Sequence, residues 1–403
     1  MRQMGGCCRY TYNSFVAYCN ELLKKGQRIP KLNDLKNIIL KDLKERFPWL
    51  KDCNAQSLQY VVDRIFEAFM DFLAKKKGHP DFKKKGWGDD TFHIPQHFKV
   101  DYRKSVVWIP KIGWVKCVIH RRVVGQIRNA TVCITPAGEY YVSINANDGK
   151  DYIPPEVNEE SKVLGIDLGL TSWAICSDGT VFENPKVAKK YQKKLSREQK
   201  SLARKVKGSN NYKKQKKVVA EVHKKIRNCR KDAQNKMTNQ ICKSQADIVA
   251  MENLNNSGML RNHKLAYHIA DAAWYEIRRQ IEYKCKREGK MLILVDRFYP
   301  SSQTCSTCGY VNKEVKDLRV REWTCPVCGS HHDRDFNASV NIAKNGKEKA
   351  LLAGRKDVKP VEIAPVDERA KAPKKHAVNL KEAGKVLAHD ARSLKPQEAA
   401  CCG

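Results

Sequence analysis

At 403 residues, 41% hydrophobic and 8% aromatic, the chain is long enough for about two to four domains with real cores and is not a wholly disordered polymer. Its 77 Lys and Arg stand against 44 Asp and Glu, a formal net charge of +33 that repels cations and makes a polyanion the default partner. No run approaches the ~18 apolar residues of a membrane span, and the N-terminal Met-Arg-Gln-Met-Gly-Gly carries no apolar stretch of a secretory signal, so nucleic acid is favoured over membrane.

Residues 1–78 read as helical. One helix covers 10–25, stopped by Gly26 and Pro30; a second covers 33–46, with Leu35, Ile38, Ile39, Leu43 and Phe47 on one face. A third follows Asn54, with Leu58, Val61, Val62, Ile65, Phe66, Phe69 and Leu73 at helical spacing, the ordinary signature of core packing. From 79 to 155 the period shortens. Residues 106–109, 114–119, 130–134 and 140–144 are short β-branched runs separated by turn signals at Pro110, Gly113, Gly125 and Gly138. They predict a small antiparallel β-domain closed as a barrel.

Residues 163–183 read as strand, hairpin and strand, with Asp178-Gly179 as the tight turn. Between Lys186 and Lys236 there are 20 Lys and Arg against 3 acidic residues. Like charges at helical spacing repel unless a polyanion relieves them. Lys193, Lys194, Arg204, Lys205, Lys207, Lys213, Lys214, Lys216 and Lys217 are therefore the candidate nucleic-acid contacts, and binding through them should weaken with salt as counterions are released. A short strand, 247–252, ends in Glu252. A long helix follows, with Leu265, Ile269, Ala273, Ile277, Ile281 and Cys285 on one stripe, then a buried strand at 291–295. Residues 347–403, rich in Ala, Lys and Pro, read as a flexible tail.

Sixteen cysteines would suit a disulfide framework only in a small secreted chain. Most are scattered singly or in adjacent pairs, so a reducing interior with one metal site is the simpler account. That site is Cys305-x-x-Cys308 and Cys325-x-x-Cys328, sixteen residues apart, the spacing of a four-cysteine zinc ribbon. Four thiolates leave no open coordination position, so the Zn²⁺ is structural. His331 and His332 are then read as surface or nucleic-acid contacts, not ligands.

Three carboxylates lie in unusual settings. Asp167 interrupts the apolar strand 164–169, Glu252 ends a strand, and Asp335 stands at the start of a predicted helix. An acidic residue within a strand is costly unless it is paired or metal-bound. An Asp beside a hairpin, a Glu ending a neighbouring parallel strand and an Asp on a helix make the layout of an RNase H-like site. There, carboxylates hold two Mg²⁺ about 3.5–4 Å apart for in-line attack on a phosphodiester. Capping and salt bridging are the competing account of the same three residues.

On these motifs the chain resembles the TnpB nucleases, transposon-encoded, RNA-guided relatives of type V CRISPR effectors. The residues that carry the likeness are Gly165-Ile166-Asp167-Leu168-Gly169, Glu252-Asn253-Leu254, the segment 299–309 around the first cysteine pair, Trp323 to Gly329 around the second, and Asp333-Arg334-Asp335-Phe336-Asn337 through Asn341. Gly6 to Asn13 and Ile109-Pro110-Lys111-Ile112-Gly113-Trp114-Val115-Lys116 match as well. The resemblance implies a multidomain α+β chain. Its parts would be a helical recognition lobe (1–78), a β-barrel wedge (79–155), and an RNase H-like RuvC nuclease (156–300) containing the basic stretch. A zinc ribbon that binds target nucleic acid (301–331), the third RuvC motif (332–346) and the tail complete the order. It further implies a transposon-derived guide RNA, a double-stranded DNA target found beside a short flanking motif, and a location in the cytoplasm at the nucleoid. Asp167, Glu252 and Asp335 would be the catalytic triad holding two Mg²⁺, with Asp167 bridging both, and Arg321 a cation for the scissile phosphate. Family members usually have a strand of some twenty residues ahead of the Gly6 segment; here Met4-Gly5 comes almost at once, so either that strand is missing or the start site is later than usual. A miniature CRISPR effector using the same chemistry, a nuclease-dead RNA-guided DNA-binding regulator and a non-catalytic zinc-ribbon module are the alternatives.

Overall fold

The computed structural model describes residues 1–86 and 88–355 and divides at residue 150 into two units, each with its own core. In the first unit α1 (Arg2–Lys24) starts well before residue 10, so the Gly6-Cys7-Cys8 segment is helical, and Cys7, Cys8, Phe15, Val16 and Cys19 are buried. The second expected helix is three pieces: α2 (Leu32–Leu35), one π-helical turn (Lys36–Leu40) and α3 (Lys41–Arg46). The extra residue of a π turn lets both Ile39 and Leu40 join Leu35 and Leu43 inside, while Ile38 is left 51% exposed. α4 (Ala55–Leu73) begins where the Asn54 side chain accepts the Gln56 N–H at 2.9 Å, a cap that satisfies one orphan donor of the first turn. It then buries Leu58, Val62, Ile65 and Phe69 on one stripe. Cys7 and Cys53 lie side by side in this core.

Six strands follow: β1 (Asp90–Ile94), β2 (Lys99–Asp101), β3 (Val106–Ile109), β4 (Gly113–Lys116), β5 (Gln126–Ile134) and β6 (Tyr140–Asn147). They pair as two antiparallel sheets, β1-β5-β6 and β2-β3-β4, and not as one ladder closed into a barrel. The strand expected over 114–119 stops at Lys116, opposite Val106 where its partner β3 begins; one further bond, from the Cys117 N–H to the Ser105 carbonyl at 3.0 Å, closes the pairing. Helices and strands share one core, in which Phe15, Leu58 and Phe69 join Val107, Ile109 and Val132.

The second unit starts with β7 (Val163–Asp167), β8 (Ser172–Cys176) and β9 (Val181–Glu183). The basic stretch forms a helical hairpin, α5 (Val187–Ala203) and α6 (Asn210–Cys242), closed by Val187, Val222 and Ile226. Then come β10 (Ile248–Glu252), α7 (Asn256–Met259), α8 (Ala266–Ala272), α9 (Trp274–Arg287) and β11 (Met291–Val295). Next are the short pair β12 (Glu322–Thr324) and β13 (His331–Asp333), and last α10 (Arg334–Arg355). The main sheet has the order β11-β10-β7-β8-β9, with β11, β10 and β7 parallel and the β8–β9 hairpin antiparallel.

Two expectations are corrected here. The long helix after Glu252 breaks at Ala273, whose φ of 50° and ψ of 48° are left-handed. That conformation costs about 1–2 kcal/mol outside glycine. It is offset by what it positions: Trp274 is buried and its indole N–H donates to the Gly169 carbonyl at 3.3 Å. Just before the break, Asp271 accepts the Ala188 N–H and pairs with Arg230 at 2.7 Å. Secondly, residues 347–355 belong to α10 and not to a tail; the rest of the expected tail lies outside the described residues.

Strand alternation sorts the sheet into two faces. Leu164, Ile166, Val249 and Met251 pack with Met237, Ile241, Ile277 and Ile281 of α6 and α9. The opposite face carries Val163, Ala250 and Val295, which pack with Ile342 of α10. Gly165 lies on that second face. A Cβ there would stand 2.0 Å from the Ser339 carbonyl oxygen and 2.6 Å from the Ala343 nitrogen; one on Gly346 would reach Ala250 Cβ at 2.4 Å. α10 therefore rests directly on the backbone of β7 and β10. Gly165→Ala should destabilise the second unit by roughly 3 kcal/mol, a fall of about 5–10 °C in its thermal midpoint, measured by calorimetry.

Candidate functional site

The same alternation that turns Val163 and Gly165 toward α10 turns Asp167 there too. β10 pairs with β7 in parallel register, Met251 opposite Ile166, so Glu252 falls beside Asp167 at the carboxyl end of the sheet. On the α10 side, Asp335 lies one helical turn before Ser339, whose carbonyl sits against Gly165. The three sequence-predicted carboxylates thus converge from two neighbouring strands and one helix.

Their electrostatics follow from that convergence. Burial holds the Asp167 carboxyl well above its ordinary range, and repulsion from Glu252 and Asp335 adds to it. The Arg334 guanidinium and the Leu168 N–H work against the shift. Burial also raises Glu252, opposed by the Ser301 hydroxyl, which donates to Oε1 at 2.7 Å. Arg321 meets Asp335 at 3.4 Å with its own side chain 60% exposed, so the residue read as a phosphate cation does reach the carboxylate cluster. Asp333, from the same motif, has a different role: its Oδ1 accepts the Phe336 N–H at 2.7 Å and starts α10.

Cys305, Cys308, Cys325 and Cys328 bring their sulfurs within 4.8 Å of one another. The Cys305–Cys328 and Cys308–Cys325 pairs are 3.6 Å apart, close to the ~3.8 Å expected for thiolates around one tetrahedral ion. The two knuckles are equivalent: the Gly309 and Gly329 N–H groups donate back to Cys305 and Cys325 at 2.9 Å, each glycine with positive φ. The cluster fits a single metal ion. His332 corrects the reading of both histidines as surface residues. It is 8% exposed, packs on Trp323, and its Nε2 lies 3.0 Å from Cys305 Sγ. His331 is exposed, as expected.

Residues that sequence reasoning passed over tie the ribbon to the carboxylates. Asn337 donates to the Thr304 carbonyl at 2.7 Å and accepts the Ser306 N–H at 2.9 Å. Asn341 donates to the carbonyls of Ser301 at 2.8 Å and Thr304 at 2.6 Å. Both asparagines are buried, and each stands within the motif that contains Asp335, at positions a helix brings onto one face. That spacing was the available signal. Arg334, 8% exposed, donates to the Asp317 carbonyl at 3.1 Å, beside the Val320 carbonyl and the Ser302 hydroxyl. Of the basic candidates, Lys193, Lys194, Arg204, Lys205, Lys207, Lys213, Lys214 and Lys217 are exposed on the α5–α6 hairpin, and Lys216 is half-buried. Arg204 and Lys205, with Arg197, Lys200 and Ser201, line a shallow cavity of about 320 Å³.

A family model described as "Probable transposase" matches residues 141–263, and one described as "Cas12f1-like, TNB domain" matches residues 274–342. The chain is 34% identical over 370 residues to the "Putative RNA-guided DNA endonuclease InsQ" of Escherichia coli (strain K12), covering 88% of this chain and 89% of that protein. It is 33% identical over 308 residues to a "Putative RNA-guided DNA endonuclease" of Streptomyces pristinaespiralis, covering 75% and 74%. Among solved structures it is similar to the protein chain of a Cas12f1–sgRNA–target DNA complex, with a TM-score of 0.51 over 85% of this chain and 81% of that one. At 17% identity that likeness is one of fold.

Arg334→Leu would leave the Asp317 and Val320 carbonyls without their charged donor. It should cost about 2 kcal/mol and show as faster limited proteolysis of the 302–320 segment.

Proposed function

This chain belongs to the TnpB family of transposon-encoded RNA-guided DNA endonucleases, and we propose that it cleaves DNA at the Asp167, Glu252 and Asp335 site under the direction of a transposon-derived guide RNA. The observation that carries the reading is the convergence of three carboxylates on one sheet face, where burial makes the charges of Asp167 and Glu252 costly and repulsion from both neighbours adds to the cost at Asp167, until a cation relieves it. A mixed sheet whose second parallel strand ends in a carboxylate, faced by a helix bearing the third, supports an RNase H-like nuclease centre.

In this reading Asp167, Glu252 and Asp335 hold Mg²⁺, which when bound supplies Lewis-acid charge to the scissile phosphate and to the attacking water. The chain's own residues do the positioning. Ser301 holds Glu252 in one rotamer, and Asp333, Asn337 and Asn341 set the start and pitch of α10, hence Asp335. Arg321 is exposed enough to exchange Asp335 for a phosphate oxygen. The α5–α6 hairpin offers its lysines to the phosphates of guide and target. Its α6, 33 residues long, spans about 50 Å, room for many successive phosphates. The DNA target would be chosen by base pairing to the guide, beside a flanking motif read by the protein.

The four cysteines hold Zn²⁺ as a structural ion, since all four positions of a tetrahedron are taken. Its contribution is indirect: Ser301 and Thr304, which meet Glu252 and α10, immediately precede the first knuckle.

Two outcomes test the proposal. With the protein purified alongside its guide RNA, a plasmid carrying the matching target should be cut in Mg²⁺ and not in EDTA. Asp167→Ala should lower the rate by roughly 10³-fold or more while RNA stays bound; undiminished cutting in that variant would remove the site from consideration. Elemental analysis should find about one zinc per chain, reduced by Cys308→Ser, with chelation lowering the thermal midpoint of the second unit.

A further inference from the structure

The sheet β2-β3-β4 has an outer face that neither the nuclease site nor the ribbon uses. Pairing across it places Lys99 opposite Trp108 and Trp108 opposite Trp114, so these three side chains form one row on one face. The next row on that face is Asp101, Val106 and Lys116. The other face is the core side, where Val107 and Ile109 are buried. Trp114 is 53% exposed, and its ring meets that of Trp108 edge-on, with centroids 5.5 Å apart and planes at 65°. An outward sheet face is ordinarily polar; here two indoles stand in its middle with a lysine at the side of each.

We propose that this face is a stacking platform for an unpaired nucleotide of the guide RNA. Trp114, though it meets Trp108, keeps about half of its surface in solvent. An aromatic face of that kind takes any base, whereas duplex DNA keeps its bases stacked inside. Charge complementarity points the same way. Lys99 and Lys116 flank the rings on the sheet, Lys104 and Lys111 stand in its two turns, all four are exposed, and none is in an ion pair among the described residues. The nearby acid, Asp101, spends its Oδ1 on the Arg103 and Lys104 N–H groups at 2.9 and 3.0 Å. Unstacked bases with phosphates on either side are what loops and single-stranded segments of RNA present.

The inference rests on the reading of the chain as RNA-guided, but not on cleavage, so binding is measured in EDTA and without target DNA. The probes are a mixed-sequence single-stranded RNA of roughly 20 nucleotides, its duplex, and single-stranded DNA of the same sequence. Trp114→Ala should weaken single-stranded RNA by about 5- to 150-fold, change the duplex by less than about twofold, and be largely rescued by Trp114→Phe. Ultraviolet cross-linking of the guide-bound protein should then join RNA to the 112–116 peptide. An unchanged affinity, an equal loss for single strand and duplex, or a larger loss for the DNA strand would overturn the proposal. Because Trp114 is exposed, the variant should keep its circular dichroism spectrum; if it does not, Trp114→Phe and the cross-link decide alone.

Discussion

The second unit is organised by one close approach: a helix laid on a sheet at two glycines, with only small groups between them there. Gly165 and Gly346 permit it, and Ser339, Ala343 and Ala250 are small enough to meet them. The closeness matters because a carboxylate side chain is short. Asp167 and Asp335 come together only if the strand and helix that bear them are nearer than ordinary side chains allow. A helix standing off on Leu or Ile would hold the two acids farther apart. Ile342, the large side chain at the interface, packs beyond the contact against Ala250 and Val295, which keeps the glycine contact from being propped open.

A cluster of three half-buried carboxylates opposes its own assembly, since burial works against the charges of Asp167 and Glu252 and both neighbours repel the charge of Asp167. The surrounding structure holds them nonetheless, through bonds that do not depend on their charge. Asn337 and Asn341 pin α10 to the chain ahead of the first cysteine pair, and Arg334 pins the ribbon's middle to the helix start. Ser301 closes the circuit on Glu252. The four-cysteine ribbon is in this sense a bracket for the acidic cluster. That is a physical reason for the third carboxylate to follow the ribbon directly in sequence.

Charge is spread across the second unit with the opposite logic. The cations of α5 and α6 are carried outward on a hairpin whose own core is small, Val187, Val222 and Ile226 with a few partners. Its root is secured by Asp271, which takes Arg230 and the Ala188 N–H together. Exposed like charges that repel in the absence of a polyanion become binding energy when one arrives, with counterions released. Acids are thus gathered at a fixed point, and bases are strung along a long arm.

Much of this was legible in the residues. The apolar periods of 58–69 and 163–167, the Asn54 cap, the Asp178-Gly179 turn and the paired Cys-x-x-Cys motifs are local rules, each settled by residues a few positions apart. Asp167 and Glu252 stood out because a strand seldom tolerates an acid, and the cysteine spacing named its own ligands. What the sequence could not carry were outcomes of contact between distant segments. The break at Ala273 depends on Trp274 finding Gly169, the two-sheet arrangement depends on which strand edges meet, and the burial of His332 depends on Trp323 and Cys305. The meeting of Cys7 with Cys53 and the positions of Ser301, Arg334 and the two asparagines belong to the same class. A sequence states which groups want partners, since that follows from the chemistry of each residue and its near neighbours. The tertiary structure decides which partners they get, because that choice requires chain segments to compete for the same space.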